Sequence, residues 1–175
     1  MSDMEAVNSV NGMFSIRHAF SIRHTLATLA YRAARATESA PPEFSRFNAA
    51  TDPRTPGRIL AHMGDLMDWA VSLVEGNQKW QNSEPLDWPD EVTRFFHALR
   101  LLDERIADAG VNVEMANRLF QGPIADALTH TGQIAMLRRM AGCPIRGENY
   151  FVAGIAIGQV GAPQEFLEAS PVFSQ

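Results

Sequence analysis

Asp126 and His130 stand four residues apart in the run Asp126-Ala127-Leu128-Thr129-His130. On a helix that spacing puts both side chains on one face, a turn apart, with Cβ atoms about 5–6 Å from each other. A helix carrying two donors in this way is a rigid chelating arm for one ion. A third donor must come from another helix, and His62, within Leu60-Ala61-His62-Met63, sits midway along a second apolar stripe. Two imidazoles and a carboxylate suit zinc, nickel or iron(II) and leave coordination positions for water or substrate. Each piece also has a plainer reading. A histidine on an apolar helix is commonly a hydrogen-bonded boundary residue, and an aspartate in the first turns of a helix favours the positive end of its dipole. Spacing alone leaves both readings open.

Other residues of chemical interest carry less. His18 and His24 belong to an approximate six-residue duplication, Phe14-Ser-Ile-Arg-His-Ala followed by Phe20-Ser-Ile-Arg-His-Thr. Six residues turn a helix by about 240° net, so these two histidines lie on different faces and make a poor ligand pair. Gly132 would allow close approach of a helix or ligand beside His130, and Gln133 either holds a water near the ion or faces solvent. Arg138 and Arg139 could grip substrate carboxylates, or serve as surface charges near a helix C-terminus. Asp65 and Asp68 read as solvated, with Asp65 also able to orient a ligand from behind. His97 reads as a boundary residue, Cys143 as an inert small side chain with no cationic partner, and Trp69, Trp80 and Trp88 as core or lid residues.

The elements that must position these groups are helical. Ile16, Phe20, Leu26, Leu29 and Ala33 give a stripe from Phe14 to about Glu38, ended by Pro41-Pro42. Thr55-Pro56 pairs a hydroxyl cap with proline at the first helical position, opening a second helix that runs to Gly76. A third spans about Pro89 to Ala109 before Gly110, residues 112 to 120 add a short one, and Gly122-Pro123 opens the fourth long helix, which ends at Ala141-Gly142. Residues 1–12 read as a loose arm and 145–175 as an irregular tail packing over the helices. No run has a convincing strand period. The fold class expected is all-α: a single-domain four-helix bundle over residues 1–175.

Composition narrows the function. With 175 residues, 46% hydrophobic and 20% charged, the chain can bury one core. The net charge of -5 disfavours a nucleic-acid surface. No apolar run approaches the roughly 20 residues of a membrane span, and the polar start does not read as a signal peptide. One cysteine excludes an internal disulfide framework. A cytoplasmic location is the expectation.

The segment Asp126-Ala-Leu-Thr-His130-Thr-Gly132-Gln133-Ile-Ala-Met-Leu-Arg138-Arg139-Met-Ala-Gly142 resembles the fourth helix of the DinB/YfiT-like superfamily, where His-Arg-Gly-Gln or His-Val-Gly-Gln is typical. Ile59-Leu60-Ala61-His62, with Trp69 further along, is similar to that family's ligand site on the second helix. The resemblance covers about residues 14–145 in architecture and is specific only around 59–69 and 126–142. It implies a metal held by one histidine of the second helix and two of the fourth. His62 and His130 match two of these, while Asp126 stands where the third histidine would be. It further implies a metal-dependent enzyme that activates a low-molecular-weight thiol for attack on an electrophilic small molecule, an S-transferase type of reaction, with Gln133 and Arg138 as substrate-side candidates and a homodimer as the assembly. A hydrolase using activated water, and a non-catalytic dimeric binding or stress module with an empty or structural site, are the alternatives.

Overall fold

The structure is a computed structural model that describes residues 21–49 and 54–162. The expected arm at 1–12, the histidine at position 18, the start of the first helix and the tail beyond residue 162 lie outside the described residues. Everything described is helix or irregular chain, with no strand among the described residues. Four long helices, α1 (21–37), α2 (Pro56–Val74), α3 (Trp88–Ala109) and α5 (Ala125–Met140), are accompanied by the short α4 (Val113–Leu119). No helix among the described residues is long and apolar enough to cross a membrane.

Local chemistry sets the ends. The Thr55 hydroxyl accepts from Arg58 N at 3.4 Å, and Pro56 takes the first helical position of α2, where its missing N–H leaves nothing unsatisfied. At the other end Gly76 adopts φ 70°, so that Gly76 N donates to Leu73 O and Asn77 N to Ser72 O. Helix α5 closes with the same pair of bonds, Gly142 N to Arg139 O and Cys143 N to Arg138 O, with Gly142 at φ 77°. Both are Schellman closures, which need a residue at positive φ and therefore favour glycine. The Asn112 side chain caps α4 by accepting from Met115 N at 2.8 Å.

The start of α5 differs from expectation. Gly122-Pro123 does not open a separate helix. Residues Phe120–Ile124 form a wide π-type turn between α4 and α5, with Gly122 bent to φ -95°, ψ -106°. Proline inside a helix lacks an N–H and crowds the carbonyl four residues back, and the widened turn relieves both conflicts.

All four long helices feed one core. Leu26, Leu29 and Ala33 of α1, Leu60, Met63 and Met67 of α2, Phe95, Leu99 and Leu102 of α3, and Ile134 of α5 are buried completely. Trp88 also joins the core, edge-on to Phe44 at 5.3 Å between ring centroids. Two ion pairs cross this core. Arg23 clamps buried Asp103 through two 2.8 Å bonds, joining α1 to α3. Arg94 of α3 reaches α2, donating to Asp65 Oδ1 at 3.0 Å and to Ala61 O at 2.6 Å, while its Nε bonds Glu91 at 2.6 Å. Asp65 is thus buried and paired, not solvated. Burial pushes the half-buried Asp68 carboxyl above its usual pKa, and Arg94 offsets part of that rise.

Part of the irregular segment after α5 contacts α1. Glu148 accepts from the Tyr31 hydroxyl and from Arg35 Nε, and Arg32 stacks 4.1 Å over the Tyr150 ring.

Gly132 lacks the close helix neighbour expected of it. A Cβ at Gly132 would meet nothing within 4 Å, whereas one at Gly64 would lie 2.7 Å from the Arg94 guanidinium. The close approach is therefore at Gly64. Gly132→Ala should raise stability by up to about 1 kcal/mol through helix propensity alone. Thermal denaturation checks this, and a drop in Tm would show a contact at Gly132 that the structure lacks.

Candidate metal centre

His62 projects from the middle of α2, and Asp126 and His130 from the first two turns of α5. Their donor atoms lie within 4.8 Å of one another, and the three residues form a group that could hold a metal ion. Asp126 sits between the imidazoles: Oδ2 is 3.3 Å from His62 Nε2, and Oδ1 is 3.3 Å from His130 Nε2. The two imidazole rings are 5.0 Å apart and nearly perpendicular, at 88°.

The tautomer of His130 follows from its other nitrogen. Gln133 Oε1 lies 2.7 Å from His130 Nδ1. With the amide oriented this way its oxygen accepts from Nδ1–H, and in the neutral ring Nε2 then presents a lone pair to Asp126. A lone pair and a carboxylate oxygen are two acceptors, and they attract only through a proton or a cation between them. A charge-assisted N–H···O bond prefers about 2.7–2.9 Å. Donors arranged tetrahedrally at zinc-ligand bond lengths of about 2.0–2.1 Å stand roughly 3.3 Å from each other. The two contacts to Asp126 run through different oxygens of its carboxylate, so the three residues could close on one small divalent ion with the carboxylate facing both imidazoles.

Exposure fits an open site. The His130 side chain is only 12% exposed, whereas His62 and Asp126 retain 36% and 46%. The ion would be gripped from the His130 side and accessible from the side of His62 and Asp126.

The sequence-derived residues thus divide. His62, Asp126 and His130 come together, and Gln133 joins them by fixing the His130 ring. An outer partner of this kind is worth roughly 10–100-fold in metal affinity. Gln133→Leu should show that loss in competition with a chromophoric chelator, and an unchanged affinity would remove Gln133 from the site.

Arg138 has a different employment from the substrate-side role expected of it. It is buried two turns beyond His130 and donates to the carbonyls of Ala36, Glu38 and Cys143 at 3.3, 2.6 and 2.9 Å. These bonds satisfy the C-terminal carbonyls of α1 and stitch that end to α5. His97 is exposed and outside the site.

Trp80, expected as a core or lid residue, is 43% exposed and outside the core. Its ring lies 5.8 Å from that of His62, and Trp69 stands 5.8 Å behind it. The available signal was a large aromatic residue in an otherwise polar loop, which does not say what it faces. Comparison with models of known protein families, with curated proteins and with solved structures finds no match to this chain.

Proposed function

We propose that the chain is a metal-dependent four-helix-bundle enzyme of the DinB/YfiT type, holding one divalent ion through His62, Asp126 and His130 and using it to activate a small thiol. The observation that supports this most is the pair of 3.3 Å contacts from one carboxylate to two imidazole nitrogens, with His130 Nε2 turned toward it by Gln133. A divalent ion in such a set lowers the pKa of a bound thiol or water, so that a nucleophile is present near neutral pH. The protein's part is to orient and expose. Gln133 keeps His130 in one tautomer, Arg94 ties the carbonyl of Ala61, the residue before His62, to α3, and the half-exposed His62 and Asp126 leave room for a ligand. The same reading has two copies pairing through apolar side chains, and Met136 and Met140, one turn apart on α5 and more than half exposed, are available for it.

The test is turnover. Zinc-loaded protein should consume an aromatic electrophile such as chlorodinitrobenzene at a rate saturable in an added thiol, and His62→Ala should abolish it. Activity on an ester without thiol would favour the hydrolase alternative. No turnover with either, by protein that demonstrably holds the ion, would leave a binding or structural centre.

A further inference from the structure

The segment between α2 and α3 contains a side chain that its polar surroundings do not explain. Trp80 is 43% exposed, a substantial apolar surface to leave in water, yet the chain on both sides of it is fastened. Before it, Lys79 N donates to Ser72 Oγ at 3.0 Å. After it, Gln81 Nε2 reaches Asp68 at 3.3 Å, and Ser83 donates to buried Asp65 twice, from N at 2.8 Å and from Oγ at 2.7 Å. Asp65 is itself fixed by Arg94. The loop therefore holds the indole in one place against α2.

That place is the open side of the donor group. The Trp80 ring meets the His62 ring at 5.8 Å and 70°, and Trp69 backs it at 5.8 Å and 89°. Trp69 Nε1 is buried with no hydrogen-bond partner among the described residues, so ring contact, not a polar bond, seats the pair. The result is an aromatic wall beside a half-exposed ligand imidazole. Such a surface favours flat, apolar rings, which pack against indole edge-to-face or offset.

We infer that Trp80 is a specificity-determining residue, forming a subsite for a flat aromatic group carried close to the metal-binding atom of the ligand. This rests on the proposed metal centre. Trp80 lies outside the core, so replacing it opens no internal cavity.

The experiment uses the cobalt(II)-loaded full chain titrated with phenylmethanethiol and, separately, with ethanethiol, following the thiolate-to-cobalt absorption. Wild type should prefer the aromatic thiol. Trp80→Ala should cut that preference roughly three- to tenfold, the range expected for one aromatic pair, while Trp80→Phe retains most of it. Equal weakening of both thiols in Trp80→Ala, or an unchanged preference, would overturn the inference while leaving the metal centre standing. Absence of any cobalt spectrum in wild type would overturn the metal reading and the subsite with it.

Discussion

Replacing Arg94 with methionine should destabilise the protein by roughly 3–5 kcal/mol, the usual penalty for removing one partner of a buried ion pair, and lower Tm by on the order of 10 °C for a chain of this size. Methionine keeps most of the aliphatic stem, so the effect isolates the guanidinium. That group pairs with three carboxylates from two helices, buried Glu91 at 2.6 Å and Asp65 at 3.0 Å and the more exposed Asp68 at 3.4 Å, and satisfies the Ala61 carbonyl at 2.6 Å. Glu91 is 0% and Asp65 2% exposed, so water cannot readily replace it. Each buried carboxylate keeps one anchor, Leu86 N for Glu91 and Ser83 for Asp65, which limits the loss to this range instead of abolishing folding. Burial works against the charge on Arg94, and the bond to Glu91, with Asp65 in support, more than restores it, so that its pKa stays raised. Gly64→Ala should act in the same direction, because its Cβ would stand 2.7 Å from the guanidinium. Thermal and urea denaturation measure both variants. A shift below about 2 °C for Arg94→Met would mean the network is solvated.

His130→Ala should weaken zinc binding by more than the roughly 100-fold upper effect of an outer partner, since it removes a donor itself, and its effect should exceed that of His62→Ala. The asymmetry has a structural cause. His130 is one-eighth exposed and fixed through Nδ1 by Gln133, whereas the His62 side chain is a third exposed. A preoriented donor loses little freedom on binding, so its removal forfeits more. Asp126→His would supply a third imidazole in place of the carboxylate and should keep zinc bound. Asp126→Ala should not. Isothermal titration resolves the order, and equal, small losses at 62 and 130 would show that the imidazoles do not share an ion.

What was legible in the chain depended on how far each feature reaches. Thr55-Pro56, Gly76 and Gly142 act within one turn, and the ends they predict are the ends observed. The Asp126–His130 spacing is likewise a property of a single helix. His62 could be named as the third donor, but its 3.3 Å approach to Asp126 depends on α2 and α5 packing together, which no local pattern states. The burial of Asp65 is hidden from the sequence for the same reason: its charge is met by Arg94, 29 positions away on α3. Arg138 reads as a surface charge until the end of α1 is laid beside it, a hundred residues distant in the chain. Gly64 and Gly132 are both helix-interior glycines, and only the neighbouring helix tells them apart. Pro123 is compatible with a helix start or a kink, and the choice is made by α4 running directly into it.

The most direct test of the central claim is elemental analysis of the full chain, purified without a nickel column, incubated with equimolar zinc and then desalted. The account predicts about one ion per chain in the wild type. It predicts loss of that ion in both His62→Ala and His130→Ala, with helical circular dichroism unchanged. A wild type that retains no ion, or variants that retain it fully, would contradict a metal centre built on His62, Asp126 and His130.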